Sequence, residues 1–271
     1  MENTNNGQAN GQQTQKALIV QKLDQLKVAL NEDFVQNQLR SALSENSGAF
    51  TASLIDLFTT EKTLQGLDPK LIIMQAMKAA VLKLPINKSL GFAWIVPYKG
   101  APQFQIGYKG LVQLALRTGQ YRTMNTDVVY DGEYRSSNKL TGEFDLNGVA
   151  VSEKIIGYFA HFELLNGFSK TLYMTRDKVI AHAQKYSKSY NVDNSPWKTD
   201  FDAMAKKTVV RNLLSHWGYL SVEMANAIQT DVDEDAADRV MREIRTNANS
   251  STMGFEEAET VSNQQTPGAP F

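Results

Sequence analysis

The sequence predicts an α+β protein: helices packed on a small antiparallel β-sheet that includes a β-hairpin. Three observations predict it. Apolar residues recur at helical spacing towards both ends of the chain, they alternate with polar residues through the middle, and Gly-containing turn signals interrupt that alternation.

Residues 1–15 are mostly Asn, Gln, Gly and Thr with almost no core-forming side chains, and this tail is expected to be disordered. Over residues 16–43, Leu18, Ile19, Leu23, Leu26, Leu30, Phe34 and Leu39 recur near helical spacing. Residues 53–58 and 69–82 supply two further helices. The second has Asp68 as a good N-cap and Pro69 at its first position. Residues 92–98 and 103–108 alternate around the Lys99-Gly100-Ala101-Pro102 turn and predict the hairpin, with a helix following from Lys109. Residues 123–134, 144–146, 155–165 and 168–174 read as strands, the last two joined by the hairpin signal Asn166-Gly167. Helices return over 176–186, 197–217 and 222–228, leaving 229–271 as an acidic, mostly disordered tail beyond a single core of residues 16–228.

Cysteine is absent, which excludes disulfides, thiolate zinc sites and cysteine nucleophiles. No apolar run approaches the ~18 residues of a membrane span, and the N-terminus lacks the basic and apolar regions of a signal peptide, so a cytoplasmic protein with no membrane partner is expected. The net charge of −1 conceals a sorted distribution. Segments 1–68, 69–126, 127–153, 154–221 and 222–271 carry −3, +8, −4, +5 and −7, and the second has eight basic residues and no acidic one. Burial would also exclude carboxylates, but it would exclude lysine and arginine with them. An acid-free basic stretch suits phosphate binding.

The helix after the hairpin puts Lys109, Gln113 and Arg117 at i, i+4 and i+8, a stripe able to follow a nucleic-acid backbone or to be a plain solvated face. In the long helix from Trp197, the residues Phe201, Met204, Ala205, Val209 and Leu213 face a core, while Lys206, Lys207 and Arg211 lie on the other side. Asp200 and Asp202 sit at that helix's N-terminus, where its dipole favours them, and leave the basic cluster unneutralised. Lys185, Lys188 and Lys198 lie in and beside the polar loop 187–196. Lys99 and Gln105 belong to the hairpin, and Arg122 lies just beyond the following helix. Aromatic residues are interleaved with this charge: Phe92, Trp94, Tyr98, Phe104, Tyr108, Tyr121, Tyr186 and Tyr190. They suit base stacking, although strand alternation must turn about half of the hairpin rings towards the core.

Catalytic signals are weak. Gly107-Tyr108-Lys109-Gly110 lacks both the glycine spacing of a phosphate loop and the Ser or Thr that would hold magnesium. His161, His182 and His216 have no paired ligand spacing. A metal-dependent nuclease is the enzymatic alternative, because Asp127, Asp131, Glu133, Glu143, Asp145 and Glu153, with Lys154, fall in the strand region.

The run from Leu84-Pro85 to Gly91-Phe92, then Ala93-Trp94-Ile95-Val96-Pro97-Tyr98, Gln103 to Leu111 with its Gly-Tyr-Lys-Gly, and Leu116-Arg117-Thr118-Gly119 resembles the RecT family of phage recombinases. The resemblance continues through Trp197 to Thr208, which contains Met204-Ala205-Lys206-Lys207-Thr208, and through Arg211 to Leu214. It implies a non-enzymatic single-strand annealing protein, phage or prophage encoded and acting in a bacterial host. Such a protein binds single-stranded DNA, oligomerises on it as a ring or helical filament, and pairs it with a complementary strand to give an annealed duplex. ATP is not used and no cofactor is required, Mg2+ affecting annealing without catalysis. A relation to Redβ and, more distantly, Rad52 implies a Redβ/Rad52-like annealing core. A RecE-like exonuclease and host single-strand-binding protein are the implied protein partners, the second through the C-terminal tail.

Overall fold

The computed structural model describes residues 6–232 apart from 99, 188 and 194. Its N-terminal part is helical: α1 (Asn6–Leu30), α2 (Asp33–Leu43), α3 (Ser47–Thr60), the single turn α4 (Lys62–Gln65) and α5 (Pro69–Val81). The helix expected over 16–43 is divided at Asn31 and Glu32, and α1 starts ten residues earlier than expected, inside the segment read as disordered. Ala and Gln in that segment are good helix formers, and elongating a helix already nucleated by Leu23, Leu26 and Leu30 is far easier than starting one.

Helix α5 shows how local sequence sets an element's limits. The Asp68 side chain accepts from the Lys70 amide at 2.9 Å, and Pro69 occupies the first turn, where its missing N–H costs nothing. At the other end the Lys83 amide bonds to Ala80 O and the Leu84 amide to Ala79 O, both at 2.9 Å. This is a Schellman closure in which Lys83, at φ 51°, takes the left-handed position usually given to glycine.

Strands β1 (Ala93–Tyr98) and β2 (Ala101–Ile106) form the expected hairpin, with Tyr98 opposite Ala101. Ala93, Ile95, Phe104 and Ile106 are buried towards α5, while Trp94 and Gln105, paired across the strands, share the opposite face. The Gln75 side chain on α5 accepts from the Phe104 amide at 3.1 Å and fixes the hairpin to the helix. Helix α6 (Tyr108–Arg117) leads to β3 (Tyr121–Tyr130). A small excursion, β4 (Ser136–Asn138) with β5 (Glu143–Asp145), precedes β6 (Ile155–Leu164) and β7 (Ser169–Thr175). Strand β4 is wholly polar and exposed, so hydrophobic alternation gave no sign of it.

The main sheet has the order β3-β6-β7 and is antiparallel throughout. The β6–β7 turn is the Asn166-Gly167 hairpin, with Gly167 at φ 86° and the Asn166 side chain accepting from the Phe168 amide at 2.9 Å. Tyr158, Ala160 and Phe162 alternate along β6 towards one face and are fully buried. After α7 (Arg176–Tyr186) and the turn α8 (Pro196–Thr199), the long α9 (Phe201–Trp217) crosses that face, placing Ala205, Val209, Val210, Leu213 and Leu214 in the core. The opposite face is partly covered by the β4–β5 excursion, where the rings of Tyr134 and Phe144 lie 5.2 and 5.8 Å from Tyr173. Helix α10 (Val222–Val232) packs beside α6 and α9 through Met224 and Ile228. One hydrophobic core runs from Leu26 to Ile228, and no helix among the described residues is long and apolar enough to cross a membrane.

Candidate nucleic-acid interface

The start of α6 is built by close backbone approach. A Cβ on Gly107 would lie 2.3 Å from Gly91 O and 2.4 Å from the Trp94 ring, and one on Gly110 would lie 2.2 Å from Phe92 O. Both glycines of the Gly-Tyr-Lys-Gly segment therefore let the first turn of α6 rest on the chain at 91–92. Tyr108 and Lys109, between them, remain towards the surface, and the Lys109 stem crosses Gly91 beside Trp94. No acidic residue occupies the first turn and no side chain caps it, which leaves the positive end of the helix dipole uncompensated.

Helix α9 brings its own cation to this turn. Lys206 Nζ lies 6.0 Å from the centre of the Tyr108 ring and donates to Asp127 Oδ1 of β3 at 2.9 Å. Burial alone would lower the Lys206 pKa, but the hydrogen bond and charge of Asp127, with smaller contributions from Tyr108 and Asp202, raise it above the ordinary lysine value. Partial burial likewise opposes ionisation of Asp127. The hydrogen bonds from Lys206 and the Val128 amide, together with the Lys206 charge, outweigh it and hold the carboxyl below its usual value. Residues from three elements and nearly 100 positions apart thus meet at one surface: Tyr108, Asp127 and Lys206.

The other candidate residues are placed variously. Gln105 lies half-buried on the Trp94 side of the hairpin. The stripe Lys109, Gln113, Arg117 is not presented uniformly: Gln113 is half-buried, with its Oε1 enclosed and unpaired. The Arg117 guanidinium donates to Leu82 O at 2.8 Å and Lys83 O at 2.9 Å, closing the C-terminal end of α5. Arg122 pairs with Glu163 at 2.8 Å. Lys207 is half-buried on α9, and Arg211 reaches the Ile228 carbonyl of α10 at 3.3 Å. Lys185 Nζ lies 5.0 Å from the Tyr186 ring, and Lys198 Nζ 5.3 Å from that of Tyr190. The polar loop before α8 is tied down by Trp197, whose Nε1 donates to Ser187 Oγ at 2.9 Å and whose ring meets Tyr190 edge-on. Lys99 and Lys188 lie outside the described residues.

Two groups are not legible in the sequence. Asp127 was grouped there with the strand carboxylates, and nothing local signals a partner 79 positions away. The second is the buried Tyr158, whose hydroxyl donates to Asp202 at 2.5 Å and accepts from Arg176 at 3.2 Å, while the Arg176 guanidinium stacks 4.5 Å over Phe201. Burial, then the hydrogen bond to Asp202 and its charge, raise the Tyr158 pKa despite Arg176. This network fixes the N-terminal turn of α9 on β6 and so positions Lys206 one turn further on. Asp200 caps the same turn, accepting from the Ala203 amide at 3.2 Å, while Asp202 also acts on Lys206 through its charge.

Three of the carboxylates of the enzymatic alternative are engaged by close neighbours in sequence. Glu133 accepts from the Tyr130 amide at 2.6 Å, Asp145 from the Asn147 amide at 3.0 Å and Glu143 from Thr141 Oγ1 at 2.9 Å. Among the described residues, no group of three His, Cys, Asp or Glu side chains is arranged to hold a metal ion.

The chain is 44% identical over 245 residues to the uncharacterized protein YqaK of Bacillus subtilis (strain 168), covering 90% of this chain and 84% of that protein. It is 28% identical over 224 residues to Protein RecT of Escherichia coli (strain K12), covering 76% and 79%. The model of the RecT family matches residues 48–249, a span that includes the Gly107–Gly110 turn, Asp127 and Lys206, and the chain belongs to the RecT family.

Proposed function

We propose that this protein binds single-stranded DNA, assembles on it as a homo-oligomer and pairs it with a complementary strand in phage recombination, without ATP and without a catalytic metal. The observation that carries this reading is the meeting of Tyr108, in the uncapped first turn of α6 where Lys109 is exposed, with Lys206 of α9. A lysine beside an aromatic ring, at the positive end of a helix whose first turn also carries an exposed lysine, suits a phosphate backbone with a base stacked beside it. Membership of the RecT family and the likeness to Protein RecT support the same reading. Sequence would be read by the incoming strand rather than by the protein. The single strand would be supplied by a RecE-like exonuclease in the cytoplasm of a bacterial host, with host single-strand-binding protein as a further partner.

The test is annealing of complementary oligonucleotides in EDTA without nucleotide. Accelerated annealing is expected, with ssDNA affinity falling with salt by a log-log slope of about −0.7 for each phosphate neutralised. Magnesium-dependent loss of substrate would favour a nuclease, and absence of DNA binding at low salt would overturn the reading. Replacing Lys109 and Lys206 together by alanine should weaken ssDNA binding by about tenfold across all sequences.

A further inference from the structure

We propose that Asp127 is a resident competitor for the phosphate at Lys206, so that a strand gains this cation only by displacing a carboxylate of the protein itself. The inference rests on the DNA-binding function proposed above and concerns the regulation of that site.

The geometry gives three grounds. First, a carboxylate oxygen already sits at 2.9 Å from Lys206 Nζ, the separation a phosphate oxygen would take up, and the Tyr108 ring borders the same ammonium. Second, the carboxylate is the accessible half of the pair: the Asp127 side chain is 58% exposed and that of Lys206 only 20%. An approaching backbone therefore meets the anion before the cation. Third, Asp127 does not depend on Lys206 for its place. Its Oδ1 also accepts from the Val128 amide at 2.8 Å, as Asn125 Oδ1 accepts from the Thr126 amide at 2.9 Å. Both amides belong to β3, an edge strand in the order β3-β6-β7, so Asp127 can release the ammonium and remain seated on the strand.

Residues 69–126 contain no acid, and Asp127 is the first carboxylate after them. Its charge cancels that of Lys206, so the pair as a whole offers a strand no net attraction. Full engagement of Lys206 then requires a phosphate to outcompete an intramolecular carboxylate. This lowers affinity for any one strand and favours the release that pairing demands.

The experiment compares the full-length protein with its Asp127→Asn variant for binding to fluorescent oligothymidylate across a salt series. Tighter binding by about threefold to tenfold at low salt is expected, with the log-log slope steeper by about 0.7, since one more cation then carries its full charge to phosphate. Asp56→Asn, at an exposed position of α3, makes the same change in net charge and should move both quantities much less. Asp127→Glu, which keeps the carboxylate, should return them towards wild type. Asp127→Ser keeps an oxygen for the Val128 amide and serves as a second neutral variant should the asparagine lower the thermal midpoint. In a Lys206→Met background the gain from Asp127→Asn should shrink to that of Asp56→Asn. A gain equal to that of Asp56→Asn in the native background, weaker binding, or a gain that survives loss of Lys206 would overturn the inference while leaving the DNA-binding function standing. Failure of the wild-type protein to bind the oligonucleotide at low salt would overturn both.

Discussion

Gly107 and Gly110 set how closely α6 approaches the chain at 91–92, and neither position has room for even a methyl group. An added Cβ would meet the Gly91 and Phe92 carbonyl oxygens at 2.3 and 2.2 Å, and these are backbone atoms that cannot turn aside. Gly107→Ala is therefore expected to destabilise the protein by about 1–3 kcal/mol and to shift Tyr108 and Lys109 together, measured as a lower urea midpoint with weaker ssDNA binding. A second residue-scale effect concerns pH. Burial pushes the Tyr121 hydroxyl from its ordinary 10.0 up to about 12, and it donates to the Tyr219 carbonyl at 2.8 Å. The unfolded chain gives up this proton first, so the stability it contributes is complete below pH 10 and is lost as pH rises towards 12. The thermal midpoint should fall over that range, and less steeply in Tyr121→Phe than in wild type.

At the scale of elements, the end of α5 explains a residue whose sequence context pointed elsewhere. Arg117 belongs to the basic stripe of α6, yet its guanidinium donates to two carbonyls at the close of α5, satisfying acceptors that the helix leaves unpaired. Arg117→Ala is expected to cost about 1–2 kcal/mol in urea denaturation while changing ssDNA affinity less than Lys206→Ala does. Arg117→Lys should restore only part of the loss, because one ammonium cannot reproduce the two-pronged contact. The same helix end offers a gain. Lys83 holds a left-handed φ of 51° in a complete Schellman closure, so Lys83→Gly should stabilise the fold by about 1 kcal/mol. A lower thermal midpoint in that variant would mean that the Lys83 side chain contributes more than its backbone conformation costs.

On the scale of the whole molecule, a single hydrophobic core links α1, the hairpin, the sheet and α10. Circular dichroism and tryptophan fluorescence should accordingly report one coincident unfolding transition, since Trp197 lies within that shared core and Trp94 stands on the hairpin whose other face is part of it. The α+β class, the two hairpins and the N-cap of α5 were legible because each is set by neighbours in sequence: alternation, a Gly at a turn, an aspartate before a proline. Membership of the RecT family was legible for the same reason, its motifs being contiguous runs such as Gly107–Gly110 and Met204–Thr208. The sequence also determined that positive charge is concentrated in residues 69–126 and again in α9. It could not determine how each charge is used. Only the tertiary structure decided that Arg117 closes a helix, that Arg211 reaches the Ile228 carbonyl, that Tyr158 with Asp202 seats α9, and that Lys206 comes to Tyr108 already paired with Asp127. The physical reason is range: a cap or a turn is settled within a few residues, whereas the partner of a long, flexible cation is whichever group the packing of distant elements brings within about 3 Å.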